Sequence, residues 1–276
     1  MPSLSVRDYY DAEGEEEWRR LEKDAYHRLE LLTHLHFLDK FLPPDGRVLD
    51  AGGGPGRYAI ALARRGFHVT LLDLSPVQLG IARRKAVEAG VPRGAIEFVE
   101  GALPDLTRFA GASFDAVLSF SALSHLVERP ERDAAVAELV RVARKGAPLF
   151  VSVINRFGVY RTILQRPDLH TDLVNPEQRP LFSTGVHRGH GSGRFPAAYF
   201  FTPEELRETM ERHGVRTLAL AGCEGLAAHL QEPLTAIAAD AGMWDRWLDI
   251  HWETCTQPSV IGAAEHVLYV GRSHDG

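Results

Sequence analysis

Between Arg47 and Ile154 the chain alternates segments that read as strand with segments that read as helix, and few folds accept that order. Arg47 to Asp50, His68 to Leu72, Ile96 to Val99, Ala116 to Ser119 and Pro148 to Ile154 are short apolar runs of strand length. Val69, Leu71 and Leu72 suit a strand covered on both faces. Helical spacing lies between the runs. Tyr58 to Arg65 is closed by Gly66, Pro76 to Ala89 starts on Ser75 as N-cap and stops at Gly90, and Glu131 to Ala143 precedes the fifth run. This rhythm predicts an α/β fold: a doubly wound, mostly parallel sheet with right-handed crossovers and helices on both faces. Ligands of such sheets bind beyond the carboxyl ends of the strands, where the winding reverses.

The flanks follow a different pattern. Residues 15 to 42 read as one amphipathic helix, with Trp18, Leu21, Ala25, Leu29, Leu32 and Leu35 at steps of three and four until Pro43-Pro44-Asp45-Gly46 breaks it. After the fifth run, Thr202 caps a helix to about His213, Arg216 to Ala221 reads as a strand, Leu226 to Glu253 is helical, and Glu265 to Gly271 is a closing strand. The expected organisation is a helical lid at 1–46, a ligand-binding core at 47–154, an insertion after strand five at 155–198, and completion of a seven-stranded sheet at 199–276. The last part carries a helical insertion after strand six, at about 225–262.

Composition narrows the function classes. With 45% hydrophobic and 25% charged residues the chain is an ordinary globular one. A membrane-spanning helix needs about 20 mostly apolar residues, whereas the charge-free stretch Ala116 to Val127 holds 12 residues, three of them Ser and one His. No basic leader precedes an apolar run, so a protein without a secretory peptide is expected. Cys223 and Cys255 read as reduced thiols, consistent with the cytoplasm. The net charge of −6 argues against broad attachment to nucleic acid or anionic membrane. Charge is uneven, however: Asn155 to Ala198 holds six Arg against three acids.

The turn after the first strand carries the chemistry. Val48-Leu49-Asp50-Ala51-Gly52-Gly53-Gly54-Pro55-Gly56 puts bare backbone at the ligand-binding edge, where a side chain would hold a ligand away. The dinucleotide template G-x-G-x-x-G fails, because its sixth position counted from Gly52 is Arg57, and no Gly-Lys-Ser/Thr ends the loop as a P-loop requires. What the loop matches is Asp-x-Gly-x-Gly-x-Gly on Asp50, Gly52, Gly54 and Gly56, followed by Asp73 at the tip of the second strand. This resembles the class I S-adenosylmethionine-dependent methyltransferases, over most of residues 47 to 154.

The resemblance implies a Rossmann-like fold with an antiparallel last strand, S-adenosylmethionine as methyl donor and S-adenosylhomocysteine as product. Asp73 would accept hydrogen bonds from both ribose hydroxyls, and Asp50 would face the donor's ammonium or cap the following turn. Gly52, Gly53 and Gly54 would let the methionine part approach, and Leu74 would pack on the adenine. Where the family often ends strand three in Gly-Asp, this chain has Glu100-Gly101-Ala102-Leu103. Backbone atoms of Ala102 and Leu103, or the carboxylate of Asp105, would then read the adenine. Phe120 and Ser121 would run beneath the methyl donor, and Arg28 would pair with its carboxylate.

For the acceptor, absences are informative. Strand four ends Ser119-Phe120-Ser121-Ala122, not the Asn/Asp-Pro-Pro-Tyr/Phe of enzymes that methylate amino groups of nucleobases, and no carboxylate lies between Val117 and Val127 to hold a metal as catechol-type enzymes do. No metal is expected. His125 is the candidate general base, since imidazole titrates near neutral pH. Tyr10 and Tyr199 are expected to line the acceptor pocket, with Arg156 and Arg161 gripping an anionic acceptor. His187 and His190 read as solvated loop residues. Two acceptor classes stay open: a small, anionic metabolite, or tRNA. Asp50 to Gly54, Asp73-Leu74-Ser75 and Asn155-Arg156-Phe157-Gly158 resemble the bacterial enzymes that methylate a carboxymethoxy group on a wobble uridine. A third reading is a non-catalytic binding protein on the same fold. Either a monomer or a homodimer is compatible with the sequence.

Overall fold

The computed structural model describes residues 5–189 and 195–273. Its sheet has seven strands: β1 (Arg47–Ala51), β2 (His68–Asp73), β3 (Ile96–Glu100), β4 (Ala116–Phe120), β5 (Pro148–Ile154), β6 (Val215–Gly222) and β7 (His266–Ser273). They lie in the order β3-β2-β1-β4-β5-β7-β6. The first five are parallel, and β7 runs antiparallel to both neighbours. The winding reverses between β1 and β4, so the loops that follow these two strands open onto one crevice.

Alternation along the strands divides the core. Val48, Leu71, Leu118, Phe150 and Val270 face one layer, whereas Leu49, Leu72, Val117, Leu149 and Tyr269 face the other. Helices α4 (Arg57–Ala63) and α5 (Pro76–Glu88) cover the first face; α6 (Arg129–Val142) covers the second. Both faces are therefore dry, which is why the strands read as continuous apolar runs.

The N-terminal part has one helix ahead of the expected one, and two helices where residues 15 to 42 read as one. It forms α1 (Val6–Glu13), α2 (Glu15–Arg20) and α3 (Ala25–Phe41). Gly14, at φ +52°, makes the first joint. At the second, Asp24 leaves the helix and its carboxylate accepts from the His27 amide at 2.9 Å, capping α3. Hydrophobic spacing continues across this joint, so periodicity alone did not disclose it.

After β5, Asn155 caps α7 (Arg156–Gln165); two 3-10 turns, α8 (Arg179–Thr184) and a two-residue ladder, Val186–His187 with Ala198–Tyr199, lead to α9 (Pro203–Arg212). Between β6 and β7 lie α10 (Gln231–Ala238), α11 (Ala241–Thr254) and α12 (Pro258–Ile261) in place of one helical stretch. Among the described residues no helix is long and apolar enough to cross a membrane.

Candidate active site

A cavity of about 340 Å³ opens beyond the carboxyl ends of β1, β2 and β4. Its floor is the glycine turn. The Gly52 and Gly53 amides donate to Leu72 O at 2.7 and 3.3 Å, fastening the turn to β2. A Cβ on Gly53 would come within 2.3 Å of Leu71 Cδ1 and 2.5 Å of the Asp50 carboxylate, whereas one on Gly54, at φ +54°, would meet nothing within 4 Å. The chain is tight beneath Gly53 and open above Gly54.

Two carboxylates flank the turn. Asp73 Oδ2 accepts from the Gly54 amide at 2.7 Å and Oδ1 from the Ser75 amide at 2.9 Å, so each oxygen keeps lone-pair capacity for a ligand. Burial pushes this carboxyl up to about 6 against the pull of those amides. Asp50 is completely buried, and neither of its oxygens has a hydrogen-bond partner. Burial first, and then the charge of Asp73, raise it to about 7. A buried carboxylate without partners costs stability, and this one faces a cavity where a cation or N–H donor would satisfy it.

The opposite wall comes from the N-terminal helices and from the segment after β4. Tyr10 of α1 lies 2.8 Å, oxygen to Nε2, from His125. Burial pulls the imidazole down to about 4 and raises the Tyr10 phenol, so the pair is neutral at physiological pH, and with the ring proton on Nδ1 the phenol donates to Nε2. Tyr9, Leu126, Ile154 and Phe195 complete this apolar end. Ser121 holds a left-handed conformation at φ +64°, which a residue with a side chain adopts at a cost of about 1–3 kcal/mol.

A third side is charged. Arg20 Nη1 meets Glu30 Oε2 at 2.8 Å and its Nε meets Glu17 Oε1 at 3.1 Å. His266, the first residue of β7, places Nδ1 2.7 Å from Glu224 Oε1 and 3.7 Å from Glu30 Oε2. Burial opposes charge on that ring, but Glu30 and then Glu224 outweigh it and carry it up to about 10. Glu30, Glu224 and His266 have ligand atoms within 4.8 Å of one another, a grouping with metal-binding composition. Their mutual bonds and the Arg20 cation account for it as an ion-pair network.

Of the residues expected from sequence, Asp50, Gly52, Gly53, Gly54, Asp73, Leu74, Ala102, Leu103, Phe120, Ser121, His125 and Tyr10 line this one cavity. Several others do not. Arg28 is exposed, because α3 turns Tyr26, Leu29, Glu30 and Thr33 inward and leaves position 28 outside that stripe. The arginine in the cavity is Arg20, one helix earlier. Arg156 is buried against Glu205 at 2.7 Å, with further bonds to Phe200 O and Thr184 O. Arg161 donates to Ala263 O and Ala228 O, and Tyr199 lies beneath the Arg132 guanidinium at 3.6 Å. The two arginines fasten the insertion to the segments that follow it, and none of the three lines the cavity. Asp105 is exposed and accepts from Thr107 Oγ1 at 2.6 Å. His187 is buried rather than solvated, while His190 and Arg194 lie outside the described residues. Sequence reasoning missed Arg20, Glu30, Gln78, Phe195 and His266. Only Arg20 and Glu30 carried a signal, as charges close to an apolar stripe.

Residues 48–146 match the model of the methyltransferase domain family. Over 125 residues the chain is 37% identical to the ubiquinone biosynthesis O-methyltransferase of Xylella fastidiosa strain 9a5c; the match covers 45% of this chain and 48% of that protein. The chain thus spans about half the length of the curated relatives it matches. A SAM-dependent methyltransferase from Methanosarcina mazei superposes with a TM-score of 0.61 at 18% identity, covering 86% of this chain and 97% of that one. Magnesium protoporphyrin IX methyltransferase from Synechocystis PCC 6803, solved with S-adenosylhomocysteine bound, gives 0.59 at 19% identity and 97% coverage of both chains. These structural likenesses speak to fold. Residues 48–146 accordingly resemble a methyltransferase domain, carried on a chain whose fold is that of the class I S-adenosylmethionine-dependent methyltransferases.

Proposed function

We propose that the chain transfers a methyl group from S-adenosylmethionine to a hydroxyl group of a small, largely apolar acceptor. The observation that carries this reading is that one cavity joins the unpartnered Asp50 carboxylate and Asp73 to the Tyr10–His125 pair. The residues present suit the donor. Asp73 would hold the ribose hydroxyls, Leu74, Ala102 and Leu103 would border the adenine, the open backbone of Gly54 would admit the methionine chain, and Asp50 and Arg20 offer charges opposite to its ammonium and carboxylate. The donor supplies a methyl group already activated by positive sulfur.

The protein's part is alignment, exclusion of water and proton removal. The acceptor hydroxyl would lie against Tyr10. As its oxygen gains the methyl group it becomes strongly acidic, so a weak base suffices: the proton passes to the phenol oxygen while the phenol proton moves to His125 Nε2. The lining of Tyr9, Leu126, Ile154 and Phe195 suits an aromatic or other apolar acceptor. Arg156 and Arg161 lie outside the cavity, so an anionic acceptor has less support than a neutral one, and relatives named as O-methyltransferases of ubiquinone biosynthesis favour oxygen as the methylated atom.

Incubation with methyl-tritiated S-adenosylmethionine and a panel of phenols, anionic metabolites and tRNA tests the reading. Label recovered on a phenol, and lost in Tyr10→Phe, is the expected outcome; label on tRNA alone, or none on any acceptor, would overturn it.

A further inference from the structure

His266 opens β7 and stands directly opposite Ile154, the last residue of β5, in their antiparallel ladder. Opposed residues project from the same face about 5 Å apart, so the imidazole lies beside the Ile154 side chain. Both line the cavity, at its apolar end. β7 is three places from β1 in the sheet, about 14 Å at ordinary strand spacing, which sets the ring well away from the glycine turn. Its orientation is fixed from behind. Nδ1 lies 2.7 Å from Glu224 Oε1 and 3.7 Å from Glu30 Oε2. The buried Glu224 is itself tied down, its Oε2 accepting from the Glu265 and His266 amides at 2.9 and 3.0 Å. These carboxylates hold the ring as an imidazolium, so Nε2 carries a proton as well. Among the described residues nothing accepts that proton. With Glu17, Glu30 and Glu224 set against Arg20 and His266, the surroundings are already acidic, which disfavours an anionic partner and leaves a neutral oxygen.

We infer that His266 determines acceptor specificity: its Nε2–H donates to a neutral oxygen without a proton of its own, such as a carbonyl, borne by the acceptor apart from the hydroxyl that is methylated. The inference rests on the acceptor reading under the proposed function. An apolar ring with a single hydroxyl would be held by a hydrogen bond only at Tyr10. A second oxygen on His266 sets which way the ring lies, and so aligns the hydroxyl for transfer.

Initial rates with methyl-tritiated S-adenosylmethionine and phenols bearing an acetyl, isopropenyl or amino group in the meta or para position test this, on wild type, His266→Phe and His266→Gln. Acetyl and isopropenyl groups share a shape and differ in the accepting oxygen, whereas the amino group offers hydrogens. In the wild type, KM for the better acetyl phenol is expected about tenfold below that of its isopropenyl counterpart, with the amino phenol weakest. His266→Phe should bring acetyl and isopropenyl within about twofold by raising the acetyl KM, while S-adenosylhomocysteine affinity stays within about twofold of wild type. Thermal unfolding checks that this variant folds. If it does not, His266→Gln carries the test: its uncharged amide donates about half as strongly, so the preference should fall to about threefold. No acetyl preference in the wild type, preference for the amino phenol, or a preference unchanged in the folded variant overturns the inference. So does a folded variant that loses S-adenosylhomocysteine affinity instead, which puts the ring on the donor. Methylation of phenols without acetyl preference removes the inference alone; no methylation of any phenol strikes the acceptor reading and the inference with it.

Discussion

Tyr10 and His125, separated by 115 positions in the chain, meet at 2.8 Å across the cavity mouth. One comes from the N-terminal lid and the other from the 3-10 turn Ala122–His125 after β4, so the pair exists only when α1 lies on the sheet edge. If it removes the acceptor proton, Tyr10→Phe and His125→Asn should each lower kcat by about 10²-fold with little change in S-adenosylhomocysteine affinity. The double variant should be no slower than the worse single one, because the two groups act as a unit. Independent, multiplicative losses would show two separate roles.

Asp50 and Asp73 give the site a distinctive pH behaviour. Their carboxyls are raised to about 7 and about 6, above the value of about 4 they have in an unfolded chain. A raised carboxyl contributes stability that is complete below about pH 4 and is lost as pH rises through the folded values, so these two groups destabilise the ligand-free protein between pH 5 and 8. S-adenosylmethionine, with its ammonium and hydroxyl donors, favours both charged forms. Binding at pH 6 should therefore release protons, approaching zero release by pH 8.5, as read from calorimetry in buffers of different ionisation enthalpy. Proton uptake would contradict the assignment.

Gly53→Ala is expected to be severe although Gly53 is not at positive φ. The added methyl would fall 2.3 Å from Leu71 Cδ1 and 2.5 Å from the Asp50 carboxylate. Either the turn lifts or Asp50 moves, at a cost of about 1–3 kcal/mol for overpacking. Differential scanning calorimetry should record the fall in Tm, and donor affinity should fall with it.

Arg156→Ala should act on stability and leave acceptor KM unchanged. Arg156 is 9% exposed and meets Glu205 and two carbonyls, so its removal takes a donor from the half-buried Glu205 carboxylate and from the buried Phe200 carbonyl, costing about 1–3 kcal/mol. A raised KM without loss of Tm would return Arg156 to the acceptor site.

The parallel core was legible because its residues obey local rules: Ser75 and Pro76 start α5, Gly66 and Gly90 close their helices, and apolar runs mark strands buried on both faces. The glycine turn and Asp73 were legible for the same reason, since their spacing along one β-turn-α-turn-β unit fixes their spacing in the fold. The remainder of the site depends on long-range docking. His266 enters from the last strand, Arg20 displaces Arg28 because Asp24 breaks the helix between them, and Gln78 is defined by a lid 64 and 68 positions away. The arginine-rich insertion misled for a related reason: Arg156 and Arg161 pair with a carboxylate and carbonyls of the later segments on which the insertion packs, which a charge count does not reveal.

The central claim is that the cavity above Gly54 holds S-adenosylmethionine through Asp73. Calorimetric titration with S-adenosylhomocysteine tests it most directly. One-to-one binding by the wild type, weakened at least about tenfold in Asp73→Ala through loss of two charge-assisted hydrogen bonds, is the predicted result. No heat with this compound, or equal affinity in wild type and Asp73→Ala, would contradict it.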